Sequence, residues 1–143
     1  MDSADGAEDK LPVFLRPFFL IVDIGFIAYW TITLAGIIPP EHLFKDYKDY
    51  ANPILSAWNW SFLPLDFAIS ATGLLALRRA KRGGPWRDLA LVSLTLTSCS
   101  GLMAVSFWTL RADFDPAWWA PNLFLLLYPA WFLPQVLRIR DPG

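Results

Sequence analysis

Two aspartates stand where a carboxyl is expensive. Asp23 and Asp66 each lie inside a long apolar stretch, and neither stretch contains a lysine or arginine to pair with them. A charge at the centre of a hydrocarbon layer costs roughly 2.5–3.5 kcal/mol on insertion scales. A carboxyl placed there serves to give or take a proton, or to hold the polar group of a ligand. Arg16 is two turns ahead of Asp23 on the same helical face, but side chains on a helix lean toward its N-terminus, so Arg16 reaches away from Asp23. Other polar groups recur at helical spacing. Asn59, Asp66, Ser70 and Gly73 share one face, which reads as a polar pocket around Asp66. Ser93, Thr97, Ser100 and Ala104 share another, where small hydroxyl residues point to close helix packing. Trp30 follows Asp23 by two turns; an acid beside an aromatic face suits a cation or a carbocation, and equally a helix contact. Asn122 reads as a helix cap or as a pocket wall.

These residues need helices to hold them. Four apolar runs meet that need: Phe18 to Ile38, Ile54 to Leu77, Leu89 to Leu110, and Ala120 to Leu137. About 20 apolar residues in helical form cross a bilayer core, so each run predicts a transmembrane helix. Too few polar residues are present to give any of the four a solvated face. Turn chemistry separates the runs. Pro39-Pro40 is expected to end the first helix. Asn52-Pro53 opens the second as cap and first turn. Gly83-Gly84-Pro85 and Asp115-Pro116 mark the next two breaks. Pro64, Pro121, Pro129 and Pro134 free backbone carbonyls and are expected to bend helices and open cavities. The fold class is thus all-α, an integral membrane four-helix bundle over residues 11–143. Residues 1–10, acidic and small, read as a disordered tail. No cleaved signal peptide is expected, because the start lacks a basic segment and the first run is too long.

Orientation follows from the basic residues. Lys10, Arg16, Arg78, Arg79, Lys81, Arg82, Arg87, Arg138 and Arg140 fall on one side, and Lys45, Lys48 and Arg111 on the other. The positive-inside rule then puts both termini in the cytoplasm. At 1.5 Å per residue, Asp23 lies about 9 Å above the cytoplasmic start of its helix, and Asp66 about 17 Å above the cytoplasmic end of its own. A dyad between them would need tilt or a bridging water. Trp58, Trp60, Trp108, Trp118 and Trp119 fall near the outer boundary. For Trp108, Trp118 and Trp119 the expectation is an interfacial aromatic belt.

Composition narrows the rest. Of the 143 residues, 55% are apolar and only 17% charged, with a formal charge of −1, against about 25% charged in soluble domains. A basic nucleic-acid-binding surface is excluded. The single cysteine, Cys99, and single histidine, His42, exclude a disulfide framework and a cysteine- or histidine-built metal centre within one chain. Phosphate-binding loops and nucleophile elbows are absent, and no cofactor is expected. The Arg78 to Arg87 loop reads as a topology signal that can also meet anionic headgroups.

The stretch Asn59 to Phe67 (NWSFLPLDF), with Asp113-Phe114-Asp115 and Pro121-Asn122-Leu123-Phe124, resembles the YvaD-like family of small bacterial membrane proteins. The likeness runs from about Phe14 to Leu137 and implies four helices without a known activity. More distantly, the chain is similar to the emopamil-binding (EXPERA) superfamily, which includes the sigma-2 receptor and sterol Δ8-Δ7 isomerases. The matching stretches are Ile38-Pro39-Pro40-Glu41, Asn52-Pro53-Ile54-Leu55 with Trp58 to Leu63 and Asp66, and Ala120-Pro121-Asn122. That similarity implies an intramembrane cavity for a sterol-like or amphiphilic ligand, with Asp66 as its retained acid. The chain departs from the pattern at Thr33 and Asn52, where sigma-2-like members carry acids, and at Asn122, where a tyrosine is usual. It also lacks the intramembrane histidine and glutamate of the sterol isomerases, which counts against sterol isomerisation.

The expected function is a pocket for a sterol- or isoprenoid-like ligand. Asp66 and Asp23 are its candidate catalytic acids, for isomerisation or cyclisation. Asn59, Trp60, Asn122, Trp30, Ser70, Thr97 and Tyr128 are its candidate ligand-binding residues. A proton-coupled exporter using Asp23, and a non-catalytic accessory subunit, are the alternatives. The expected partners are a membrane lipid or hydrophobic small molecule and, as an assembly, a second copy of the chain. The bacterial plasma membrane is the expected location.

Overall fold

The computed structural model describes residues 10–39 and 52–139. The expected tail at 1–10 falls almost wholly outside them, as do His42, Lys45, Lys48 and Arg140. Among the described residues the chain is all-α: α1 (Leu15–Leu34), α2 (Pro53–Trp60), α3 (Phe62–Lys81), α4 (Arg87–Leu110) and α5 (Pro116–Arg138). With α2 and α3 taken as one span, four helical segments are long and apolar enough to cross a membrane.

The helix ends show which local signals act. Asn52 caps α2, its side chain accepting from the Ile54 and Leu55 N–H groups at 3.0 and 3.4 Å, with Pro53 in the first turn. Asp115 caps α5 in the same way, accepting from Ala117 N–H at 2.9 Å, with Pro116 next to it. The first helix stops earlier than its prolines require. It ends at Leu34, and Gly36 adopts a φ of 65°. Gly36 N–H donates to Thr33 O at 3.2 Å and Ile37 N–H to Ile32 O at 3.2 Å. This pair of bonds is a Schellman cap, which glycine permits without steric cost. The second span is interrupted at Ser61, whose N–H donates to Ala57 O and Trp58 O. Pro64 sits one turn further on and has no N–H to give to the carbonyl four residues back. Pro121, Pro129 and Pro134, by contrast, lie inside an α5 that continues through them.

Neighbouring elements pack in the order α1, α3, α4, α5, with α4 against α5 the most extensive contact. The α4–α5 crossing is close because Gly101 has no side chain: a Cβ there would stand 2.6 Å from Asn122 O and from Leu126 N. Ser98 Oγ bonds Leu126 O at 3.2 Å across the same contact. Aromatic rings join α1 to α5, where Phe18 stacks on Tyr128 at 5.2 Å and meets Phe132 edge-on at 5.3 Å. Arg87, at the start of α4, donates to Val136 O at 3.2 Å and Leu137 O at 3.1 Å. It thereby serves the orphan carbonyls at the end of α5.

The interior is layered along the bundle. Near the basic end the core is apolar, built from residues such as Leu15, Phe19, Trp86, Leu94, Phe132 and Val136. Its middle holds buried polar side chains, Asp23, Ser70, Ser93 and Thr97. The far end is aromatic and contains Trp30, Asp66 and Trp108.

Candidate functional site

At the far end, the last turns of α1, the end of α2, the start of α3, the end of α4 and the start of α5 line a cavity of about 360 Å³, within the size range of small-molecule sites. Asp66, one turn past the break between α2 and α3, lies on its wall and is 5% exposed. The indole Nε1 of Trp30 donates to Asp66 Oδ2 at 2.8 Å. The other carboxyl oxygen, Oδ1, is buried without a hydrogen-bond partner. Ser100, also on the wall, stands beside the carboxyl. A carboxyl on a cavity wall is what a ligand hydroxyl or ammonium group can bind.

The walls are aromatic. Trp58 stacks on Phe107 at 3.9 Å and meets Trp108 edge-on at 6.0 Å. Tyr29 and Trp60 flank the Trp30 ring at 5.0 and 5.5 Å. The Arg111 guanidinium lies 5.8 Å from the ring centroids of both Phe107 and Trp108. Asn59 and Asn122 bring amides to the wall. Each donates one N–H to the carbonyl a turn earlier, Leu55 O at 3.1 Å and Trp118 O at 2.7 Å. Asn122 is therefore a wall residue, and the cap of its helix is Asp115.

The expected site residues divide between two places. Trp30, Asn59, Asp66 and Asn122 converge on the cavity, and Trp60 packs behind Trp30. Asp23, Ser70, Thr97 and Tyr128 lie together in the middle of the bundle. There Asp23 is fully buried, and neither carboxyl oxygen has a hydrogen-bond partner. Ser70 Oγ donates to the Asp23 backbone carbonyl at 3.0 Å. Thr97 Oγ1 donates to Ser93 O at 2.7 Å. Gly73 makes the room, since a Cβ on it would run into Asp23 Oδ2. Asp23 thus sits opposite a position two turns from Asp66 on α3, about 10 Å further along the helix. The two acids form no dyad.

Comparison with known proteins places the chain. Residues 15–141 match the family described as "Family of unknown function (DUF5360)". The chain belongs to that family. It is 48% identical over 127 residues to the uncharacterized protein YvaD of Bacillus subtilis (strain 168), a match covering 87% of this chain and 92% of that protein. No solved structure matches the chain. The family match spans the whole cavity wall, from Phe26 to Leu125.

Several wall residues escape the sequence reading. Trp108, expected in an interfacial belt, is only 3% exposed and lines the cavity with Trp58 and Trp118. Trp119 is half-buried and donates to Asp113 O at 2.9 Å. Ser100 and Ala104 are the outer end of the face read as packing, and that end opens onto the cavity. Tyr29 and Phe26 carried no polar signal beyond their place beside Trp30.

Proposed function

We propose that this family member is an integral membrane protein of a bacterial plasma membrane, with both termini cytoplasmic. Its Asp66 cavity holds a sterol- or isoprenoid-like ligand by that ligand's single polar group. The membrane part of the reading is supported by an inverted distribution of polarity. Asp23, Asp66, Ser70, Ser93 and Thr97 are buried, while Ile21, Val92, Met103, Leu127 and Trp131 are exposed. Water would penalise that outer surface, and lipid would not. The orientation rests on the basic residues gathered at the Arg78 to Arg87 end. The distant likeness to the EXPERA superfamily belongs to the same proposal.

The observation that carries the ligand reading is the Asp66 carboxyl, tethered by the Trp30 indole, on a cavity wall rich in aromatic rings. A hydroxyl or amine at one end of an apolar molecule donates to the Asp66 carboxyl, and the indole and phenyl faces cover the remainder. If chemistry follows, it is double-bond migration. The Asp66 carboxyl gives a proton to one alkene carbon, the aromatic faces stabilise the carbocation, and the resulting carboxylate removes a proton from the neighbouring carbon. Asp66 is the one carboxyl among the described wall residues, so it must perform both transfers. Asp23 lines neither of the two cavities described, and for that reason the exporter reading is not advanced.

The test is native mass spectrometry of protein purified in mild detergent, with the retained hydrophobic molecule identified after release. Wild type is expected to retain a ligand, and Asp66→Asn to lose it while expressing and folding normally. Equal retention by both proteins overturns the assignment.

A further inference from the structure

The second large concavity lies at the opposite, basic end. It is a groove of about 810 Å³ between the start of α1 and the end of α3. Lys10 and Arg16 line one side, and Arg78 and Lys81 the other. Its apolar wall includes Leu20, Leu74 and Leu77. No carboxylate lines the groove. Among the described residues none of the four cations forms an ion pair or a hydrogen bond. Four cations with no partner among the described residues, set around an apolar trough, are more than a topology signal requires, because Arg79, Arg82, Arg87 and Arg138 already mark this end.

We propose that this groove binds one anionic phospholipid of the cytoplasmic leaflet. The headgroup phosphate lies among Lys10, Arg16, Arg78 and Lys81, and an acyl chain runs along Leu20 and Leu74. Two features favour a lipid over a free anion: the trough continues from the cations onto leucines, and those leucines belong to helices that cross the bilayer in the reading above. The inference rests on that membrane reading but is independent of the Asp66 cavity. A cationic side chain near an anionic surface is worth about 1 kcal/mol, or roughly fivefold in affinity.

The experiment begins by washing membranes with alkaline carbonate. Release of the wild-type protein would sink the membrane reading itself. Protein that stays is reconstituted with an equimolar mixture of anionic and zwitterionic phospholipids of identical acyl chains, extracted in mild detergent and weighed intact. Wild type is expected to carry one anionic lipid that excess glycerol phosphate does not displace. The variant combining Arg16→Gln, Arg78→Gln and Lys81→Gln is expected to prefer that lipid on the order of a hundredfold less. Replacing the two arginines by lysine keeps the charge and is expected to keep the lipid, which guards against a folding artefact. Equal retention by wild type and the glutamine variant overturns the proposal. So does displacement by glycerol phosphate, or binding that appears only after residues 2–9, with their four acids (Asp2, Asp5, Glu8, Asp9), are deleted.

Discussion

Asp23 and Asp66 have the same side chain and both are sequestered in the same bundle, yet their surroundings differ in kind. Asp66 has a donor fixed on one oxygen, a cavity in front of it, and aromatic rings around that cavity. Asp23 is fully buried where α1 packs on α3 and owes its space to the missing side chain of Gly73. The comparison teaches that burial of an acid is not by itself a site. A site also needs room for a second molecule and a geometry that holds the carboxyl ready for it. Asp23 carries the cost of a buried acid and lacks an opening onto either described cavity.

The largest effect should come from filling the space at Gly73. Gly73→Leu forces a side chain into the Asp23 carboxyl, and it is expected to lower stability by roughly 1–3 kcal/mol or more, as overpacking does. Thermal denaturation in detergent reads this directly. In an Asp23→Ala background the same substitution should cost distinctly less, because the clash has been removed. Additive effects would show that Gly73 and Asp23 are not the contact described.

A smaller effect is expected at the other acid. Trp30→Phe removes the indole N–H from Asp66 Oδ2 and should weaken ligand retention by about tenfold, the order of one hydrogen bond to a charged or polar group. Stability should fall by less than in Gly73→Leu. A Trp30→Phe protein that binds normally would mean that the 2.8 Å bond does not orient the carboxyl.

The smallest effect belongs to Ser70→Ala, which deletes the bond to the Asp23 carbonyl. Interhelical bonds of this type in membranes average about 0.6 kcal/mol, so the melting temperature should barely move. Ligand retention should not change. A marked loss of binding would tie the Asp23 region to the cavity and erase the distinction drawn between them.

Much of this arrangement is legible in the sequence. The four apolar runs give the four long segments, because a long, nearly uniformly apolar run has no competing pattern to obscure it. Asn52-Pro53 and Asp115-Pro116 start helices as their side chains dictate. The first helix shows where legibility ends: two prolines look like the stronger stop, but Gly36 reaches a left-handed cap first. The site was half legible. Asn59, Asp66 and Asn122 announce themselves as polar residues in apolar runs, and all three reach the cavity wall. Ser70 and Thr97 carry the same signal and lie elsewhere, since periodicity gives the face of a helix but not its depth in the bundle. Trp108 was hidden for the opposite reason. An aromatic residue near a span end looks the same in sequence whether it faces headgroups or a cavity. Gly101 gives no signal until a partner helix stands opposite it, and Gly73 shows only the face it shares with Asp66.

Reaction with a membrane-soluble carbodiimide, followed by peptide mass spectrometry, compares the two acids most directly. The reagent adds to carboxyls that it can reach from hydrocarbon or a cavity, forming a stable N-acylurea. Asp66 should be modified, with bound ligand slowing the reaction, and Asp23 should stay unmodified until the protein is unfolded. Modification of Asp23 at a comparable rate, or an inert Asp66 in ligand-free folded protein, would contradict the account.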